Sequence, residues 1–183
     1  MSLSLILGGA RSGKSAYAEK RAIGNGKRLI YIATAQALDA EMKMRIAHHQ
    51  ARRNSNWTTH EESLHLAQVL AQYDDAGNVI LVDCLTLWLS NCALTSELET
   101  SADNIDGSLF FHEREKLFKA LSASQADVIL VANEVGLGIV PMGALSRWFV
   151  DEAGRLNQAL AQLCHEVVFV AAGLPMILKK SEP

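Results

Sequence analysis

A glycine-rich stretch near the N-terminus constrains the fold of this chain more than any other feature. It reads Gly8-Gly9-Ala10-Arg11-Ser12-Gly13-Lys14-Ser15 and fits the spacing G-x-x-x-x-G-K-[ST]. An apolar strand-type run precedes it at residues 3–7, and a run of good helix formers follows at residues 16–22. A strand, a tight loop and a helix in this order predict a parallel α/β fold whose first loop binds phosphate.

The residue types in this loop suit phosphate chemistry. Glycines let the backbone wrap closely around a phosphate with its N–H groups pointing inward, and the following helix adds partial positive charge. Lys14 is expected to reach the terminal phosphates of a nucleoside triphosphate, and Ser15 to hold Mg²⁺. The alternative is a glycine turn that joins a strand to a helix and binds nothing. The agreement of strand, loop, Lys-Ser pair and helix favours nucleotide binding.

Apolar runs without alternation recur along the chain and are separated by helical patterns. The strand-type segments lie at residues 29–33, 57–61, 79–83, 128–132, 167–171 and, as an edge piece, 176–178. The helical patterns lie at residues 39–53, 64–73, 85–93, 109–122 and 145–164. The order predicts an α/β fold of the P-loop NTPase type, with a mostly parallel sheet and helices on both faces. The length of 183 residues predicts one nucleotide-binding domain over residues 1–183, with an exposed mobile loop at 95–107.

Composition limits the partners and the compartment. The net charge of −3 provides no strong field for nucleic acid or an anionic membrane, and no apolar run is long enough to span a bilayer. Cys84, Cys92 and Cys164 form no C-x-x-C pair, so neither a zinc site nor a disulfide framework is expected. The chain enters a core strand at once, which argues against a removable signal peptide. We therefore expect a soluble cytoplasmic protein that binds no nucleic acid.

Polar residues stand at the ends of four predicted strands. In parallel sheets ligands bind at the carboxyl ends of the strands, so Gly8, Thr34, Asp83 and the pair Asn133-Glu134 are expected to converge on one crevice. Asp83 closes an apolar strand, which is typical of an acid that organises Mg²⁺. Its alternative role is the N-cap of the following helix. For the Asn133-Glu134 pair, contact with a substrate and a turn-forming role both remain open.

A histidine doublet stands in the helical pattern at residues 39–53. Consecutive helical residues are rotated by ~100°, so His48 and His49 point in different directions. The apolar periodicity places His49 on the face turned toward protein, where a satisfied core histidine is the ordinary role. The chemical alternative is a nucleophile, because much of an unperturbed imidazole is neutral at pH 7. The nearby cations suited to hold a phosphate are Arg45, Arg52 and Arg53.

Five stretches together resemble a known enzyme family. They are residues 8–15, Tyr31-Ile32-Ala33-Thr34-Ala35, Arg45-Ile46-Ala47-His48-His49, the run Asn-Glu-Val-Gly-Leu-Gly-Ile-Val-Pro at 133–141, and Gly154-Arg155-Leu156-Asn157-Gln158. In this order they look like the motifs of the bifunctional adenosylcobinamide kinase/adenosylcobinamide-phosphate guanylyltransferases, which assemble the nucleotide loop of cobalamin. The resemblance covers residues 5 to 178, and the run at 133–141 is its most specific part.

The resemblance implies two successive reactions. ATP or GTP phosphorylates the aminopropanol hydroxyl of adenosylcobinamide, and GMP from GTP is then transferred to adenosylcobinamide phosphate through a guanylyl-histidine. The products are adenosylcobinamide-GDP and pyrophosphate. The resemblance also implies Mg²⁺ as cofactor and a homotrimer.

The same resemblance assigns roles to individual positions. The guanylylated histidine falls on His49, with His48 as the alternative within the doublet, and Lys14 acts in catalysis. The implied nucleotide-binding residues are Gly8, Gly9, Ala10, Arg11, Ser12, Gly13, Lys14, Ser15, Ala33, Thr34, Ala35, Gln50, Ala51, Arg52, Arg53, Glu61 and Asp83. Mg²⁺ is expected at Ser15 and Asp83. Some family members carry Glu at the latter position, so the shorter Asp keeps the charge with less reach.

Two alternatives come from other functional classes. A simple P-loop small-molecule kinase would phosphorylate an alcohol with a structural His49 and would never retain GMP. A non-catalytic nucleotide-dependent switch would use the loop at 95–107 as its moving part. The aromatic residues Trp88, Trp148 and Phe149 offer a surface for a corrin ring, but their helical spacing favours core packing or a subunit contact.

Overall fold

The computed structural model describes residues 1–36, 44, 56–97 and 107–181. Its strands are β1 (Leu3–Gly8), β2 (Arg28–Ala33), β3 (Trp57–Glu61), β4 (Asn78–Asp83), β5 (Asp127–Asn133), β6 (Glu166–Ala171) and β7 (Leu174–Lys180). Its helices are α1 (Lys14–Ile23), α2 (Leu66–Gln72), α3 (Leu85–Glu97), α4 (Ser108–Ala123) and α5 (Ala144–Leu163). The strands form a single sheet in the order β3-β2-β4-β5-β1-β6-β7.

The sheet is parallel except at one edge, where β7 pairs antiparallel with β6. The strands β1, β2, β4, β5 and β6 are buried on both faces, which explains why their apolar residues do not alternate with polar ones, whereas the edge strands β3 and β7 are partly or largely exposed. One face packs against α1 through residues such as Ala18 and Ala22. The other face packs against α2, α3, α4 and α5, with Leu70, Leu117 and Leu156 in the shared core. The predicted α/β architecture with helices on both faces is confirmed.

The prediction of an exposed loop at 95–107 is wrong at both ends that the structure describes, residues 95–97 and residue 107. Helix α3 continues to Glu97 because the Thr95 hydroxyl donates to the carbonyl of Asn91 (2.8 Å), which accommodates a polar residue within the helix. Gly107 is buried, and a Cβ there would lie 2.8 Å from Phe111 and 2.9 Å from Trp148. Residues 98–106 lie outside the described residues, as does most of the helix predicted at 39–53.

The aromatic side chains serve the core. Trp88 is fully buried, its ring meets that of Phe110 edge-on at 5.6 Å, and its indole N–H donates to the carbonyl of Leu64 (2.7 Å). Trp148 and Phe149 are partly buried against the same core. Core packing, rather than a corrin-binding surface, therefore accounts for Trp88.

The three cysteines are free thiols and are all buried. Burial raises the pKa of both Cys92 and Cys164 to about 12, so neither forms a thiolate at neutral pH. Within the part of the chain that the structure describes, no group of three or more His, Cys, Asp or Glu side chains is placed to hold a metal ion. In the same residues no helix combines the length and apolar character needed to cross a membrane.

One carboxylate ties the end of α2 to the start of β5. Asp74 Oδ1 accepts hydrogen bonds from the Ser124 hydroxyl (2.7 Å), Gln125 N (2.7 Å) and Ala126 N (3.0 Å). Burial acts to raise the pKa of Asp74, but these hydrogen bonds outweigh it and hold the pKa below its usual value. Because the folded-state pKa is lowered, the stabilisation is complete above the unfolded pKa and is lost as the pH falls through the folded value.

Asp74→Asn should therefore lower the free energy of unfolding by about 1 kcal/mol at pH 7, a modest figure because the site is partly exposed. The deficit relative to the native chain should begin to shrink below about pH 4, the ordinary pKa of an aspartate, and should disappear once the pH falls below the lowered pKa of Asp74 in the folded state. Urea unfolding at pH 7 and pH 3 measures both quantities. Asp151→Asn, on the exposed face of α5, is the matched control. A deficit that is independent of pH would contradict the charge-based account.

Candidate active site

The loop between β1 and α1 is held in shape by backbone hydrogen bonds. Ser12 N donates to Gly9 O (3.2 Å) within the loop, and Tyr17 N donates to Gly13 O (3.0 Å) where the helix begins. The turn after β6 supports the loop from outside, because Gly173 N donates to Ser12 O (2.8 Å). The N–H groups that precede α1 are therefore fixed in place before any ligand arrives.

Two glycines of the motif are required by this geometry. A Cβ at Gly8 would lie 2.5 Å from the Val170 carbonyl oxygen, so only glycine fits between the strands there. Gly13 has φ +95° and its Cβ would meet Gly173 Cα at 3.1 Å, so both backbone conformation and space favour glycine. The closely wrapped loop predicted from the spacing is the loop observed.

Two side chains of the loop lack the partner that a phosphate would provide. Lys14 is 9% exposed, and its ammonium group donates to the Gly9 carbonyl at 3.3 Å. The Ser12 hydroxyl oxygen is buried and has no hydrogen-bond partner in the described part of the chain. Buried polar groups are normally paired, so the geometry suits a ligand that accepts hydrogen bonds at this position. Phosphate oxygens are such acceptors.

Three of the implied nucleotide-site residues lie in one row across the sheet. Ala33 of β2 is in register with Glu61 of β3 on one side and with Asp83 of β4 on the other. Neighbouring strands lie ~4.8 Å apart, so the backbones of Glu61 and Asp83 are about 10 Å from each other. Gly8 ends β1 at the same carboxyl edge, with only β5 between β1 and β4. The strand ends that were predicted to form a crevice therefore lie together at the carboxyl edge of the sheet.

Asp83 is oriented by a residue that sequence reasoning missed. The Tyr31 hydroxyl donates to Asp83 Oδ2 at 3.0 Å, so one oxygen of the carboxylate is held by the neighbouring strand. The first hydrogen bond of α3 runs from Trp88 N to Cys84 O, so Cys84, and not Asp83, occupies the N-cap position. A tyrosine in an otherwise aliphatic strand was the available signal, but its partner on another strand was not predictable.

The residues present at this edge fit Mg²⁺. Asp83 offers a carboxylate oxygen, and Ser15 offers a hydroxyl at the start of α1 beside the phosphate loop. Hard oxygen donors of this kind are those that Mg²⁺ prefers, and it usually takes few of them because it keeps waters and phosphate oxygens as further ligands.

Thr34 has a structural part in the crevice. It is fully buried, and its hydroxyl donates to Cys84 O (2.7 Å) and accepts from Cys84 N (2.8 Å). Its carbonyl accepts from the Asn91 amide at 2.8 Å. Because these contacts occupy the Thr34 hydroxyl, its side chain has a structural role, and the nucleotide contacts of Ala33 and Ala35 remain predictions.

Asn133 and Glu134, at the end of β5, have different roles: Glu134 forms a turn, and Asn133 has a side-chain oxygen without a partner in the described residues. Glu134 N donates to Gly8 O (3.0 Å), and its carboxylate accepts from Gly136 N (2.6 Å), which is a turn-forming role. The side-chain oxygen of Asn133 is buried and has no partner among residues 1–36, 56–97 and 107–181. The side-chain amide oxygen of Asn133 is therefore a candidate acceptor for a ligand group at the edge of the sheet.

Several predicted site residues lie outside the described residues. They are the histidines His48 and His49 and the nucleotide-contact stretch Gln50, Ala51, Arg52 and Arg53. Their roles remain predictions.

Comparison with solved structures supports the fold. An ATPase of the type III secretion system of pathogenic bacteria superposes with a TM-score of 0.60 over 96% of this chain and 56% of that one, at 12% identity. The ATPase EscN, in complex with its central stalk EscO, gives a TM-score of 0.58 over 100% of this chain and 47% of that one, at 15% identity. At such low identities the likeness concerns the P-loop NTPase fold alone.

Comparison with protein families and relatives is more specific. Residues 4–178 match the family model described as CobU, cobinamide kinase / cobinamide phosphate guanyltransferase. The bifunctional adenosylcobalamin biosynthesis protein CobP of Pseudomonas aeruginosa is 53% identical over 175 residues, which cover 96% of each chain. The bifunctional adenosylcobalamin biosynthesis protein CobU of Escherichia coli is 39% identical over 179 residues, which cover 96% of this chain and 98% of the relative. This chain therefore belongs to the cobinamide kinase / cobinamide phosphate guanyltransferase family.

Proposed function

We propose that this protein phosphorylates adenosylcobinamide with ATP or GTP and then transfers GMP from GTP to adenosylcobinamide phosphate. The observation that carries the proposal is the match of residues 4–178, nearly the whole chain, to the family model. The shape of the phosphate loop supports the proposal, because Lys14 and Ser12 are placed there to donate hydrogen bonds to a phosphate. One domain, residues 1–183, carries both reactions in this proposal.

In the first reaction the aminopropanol hydroxyl oxygen attacks the γ-phosphorus of the nucleotide. The bond from that phosphorus to the bridging oxygen breaks, the nucleoside diphosphate leaves, and the hydroxyl proton is lost to water. Lys14 and the backbone N–H groups of the loop stabilise the charge that develops on the phosphoryl oxygens. Ser15 and Asp83 would hold Mg²⁺, which neutralises part of the phosphate charge when it is bound.

In the second reaction a neutral imidazole nitrogen of His49 attacks the α-phosphorus of GTP, and pyrophosphate leaves. A phosphate oxygen of adenosylcobinamide phosphate then attacks the same phosphorus, the phosphorus–nitrogen bond breaks, and adenosylcobinamide-GDP forms. Covalent catalysis divides one difficult transfer into two easier ones. The support for His49, with His48 as the alternative, is the sequence stretch at 45–49 and its resemblance to the family.

The nucleotide site in this proposal extends from the phosphate loop along the row formed by Ala33, Glu61 and Asp83. Ala35 and the stretch 50–53 complete it, as the resemblance implies. The proposal also includes a homotrimer, implied by the same resemblance, and a cytoplasmic location, which the pattern of cysteines favours.

Two labels on the nucleotide separate this proposal from its alternatives. Label from γ-labelled ATP or GTP should move to adenosylcobinamide, and label from α-labelled GTP should remain on protein denatured without acid. A simple kinase would give the first result without the second. A non-catalytic switch would give neither, and that outcome would contradict the proposal outright.

A further inference from the structure

A pocket opens beside the phosphate loop on the face of the sheet opposite α1. Its volume is about 510 Å³, which is within the range of small-molecule sites, and it lies between α5 and the edge strands β6 and β7. Leu7 lines it one residue before the phosphate loop begins. Glu134 also lines it, and its N–H donates to Gly8 O at 3.0 Å. The pocket and the phosphate loop thus share a wall.

The chemistry of the lining suits the uncharged groups of a ligand. Most of the lining surface is apolar, and Asn157 and Gln158 of α5 add two amide groups. The cation in the lining, Lys179, is already used, because its ammonium group donates to Ala161 O and Gln162 O at 3.0 Å each and so caps the end of α5. A phosphate would find no available cation among these lining residues, whereas a ligand with amide groups would find matching donors and acceptors.

A glycine in the middle of α5 points to a close approach by a ligand. Glycine is a poor helix former, so Gly154 weakens the helix unless the missing side chain serves a purpose. Packing within the protein does not require it, because a Cβ at Gly154 would meet no atom of the described residues within 4 Å beyond its own stretch of helix. Gly154 lines the pocket, so a side chain at this position would lie against its contents.

The rim of the pocket is apolar and exposed. Leu137 lines the pocket itself, and beyond it Ile139 is 97% and Met142 is 95% exposed. Exposed apolar clusters of this kind mark surfaces that another molecule covers. A ligand larger than the pocket would extend over this rim.

We infer, on the basis of the proposed function, that this pocket binds the corrinoid acceptor. An amide-bearing edge of the macrocycle enters between α5 and β7, its apolar ring face lies on the rim, and its aminopropanol arm reaches the phosphate loop across Glu134. The inference gives a role to two stretches that neither the phosphate loop nor the histidine uses, residues 133–141 and 154–158, because both meet at this pocket.

Gly154→Leu should fill the pocket without removing any polar group. The KM for adenosylcobinamide should rise about tenfold or more, while the KM for the nucleotide should stay within about twofold of the native value. Gly154→Ala should give a smaller rise together with an equal or higher melting temperature, because alanine favours the helix. Gln162→Leu, which places the same residue on the exposed face of α5, is the matched control and should change neither KM.

Equilibrium dialysis with adenosylcobinamide separates the failure of this inference from the failure of the proposed function. Weaker binding to Gly154→Leu than to the native chain supports the pocket even if no label is transferred. Equal binding to both would overturn the inference. It would not affect the proposed kinase activity, which the transfer of γ-label by the native chain tests on its own. A change in particle mass by light scattering that accompanies weaker binding would also overturn it, since the pocket would then be a contact between copies of the chain. If Gly154→Leu does not fold, Gly154→Ala and Asn157→Leu are put to the same dialysis test.

Discussion

Lys14→Met should lower the rate of phosphoryl transfer to adenosylcobinamide by about 10²-fold or more. The ammonium group is the cation at the start of α1, and it donates to the Gly9 carbonyl where the terminal phosphates are expected to bind. Methionine keeps most of the volume of the stem, which matters because the side chain is 9% exposed. Lys14→Ala should show the same loss of rate and some loss of stability as well. Initial rates with γ-labelled nucleotide measure the effect.

The control for Lys14→Met is Lys20→Met on the exposed side of the same helix, which should keep the native rate. A native rate of phosphorylation in Lys14→Met would contradict the assignment of the phosphate loop to the kinase step. Guanylyl transfer should fall in parallel if one loop serves both reactions. If it persists at the native rate, the second reaction uses a different nucleotide site.

His49→Asn should abolish the retention of label from α-labelled GTP, because asparagine has no nucleophilic nitrogen. Phosphorylation of adenosylcobinamide should be largely unaffected, since that step needs no enzyme nucleophile. The adduct of the native chain should be a phosphoramidate, stable in base and lost in mild acid where the bridging nitrogen is protonated. Its formation should decline below about pH 6 as the imidazole takes up a proton. Scintillation counting of gel bands across a pH series measures these effects.

His48→Asn is the matched control for the histidine assignment. It should have the smaller effect, because in the helix predicted at 39–53 a rotation of ~100° per residue turns His48 away from the target of its neighbour. Label trapped by His49→Asn and not by His48→Asn would transfer the role to His48. Label trapped by both variants would place the nucleophile elsewhere and refute the covalent mechanism as written.

The elements of the fold were predictable because their signals are local. The run Gly8–Ser15 specifies strand, loop and helix within some twenty residues, and the unbroken apolar runs at 79–83 and 128–132 are typical of strands buried on both faces. The ends of those strands also predicted which polar residues would share an edge, since parallel strands place their carboxyl ends together. The error at 95–97 arose because polarity was taken as the end of a helix, although Thr95 bonds to its own helix backbone.

The partners of these residues were decided by the tertiary structure. Tyr31 and Asp83 are 52 positions apart and meet only because β2 and β4 are neighbours in the sheet. Thr34 was predicted to contact the nucleotide, but its hydroxyl is hydrogen-bonded to the backbone of Cys84, because Thr34 follows β2 and Cys84 follows the neighbouring strand β4. The pocket beside the phosphate loop depends on how α5 packs over β6 and the antiparallel β7. Strand order and helix packing arise from contacts between distant segments, whereas periodicity and turn chemistry describe only neighbours along the chain. The sequence by itself therefore determined the strands, the phosphate loop and the family, and the tertiary structure determined which side chains remain available to a substrate.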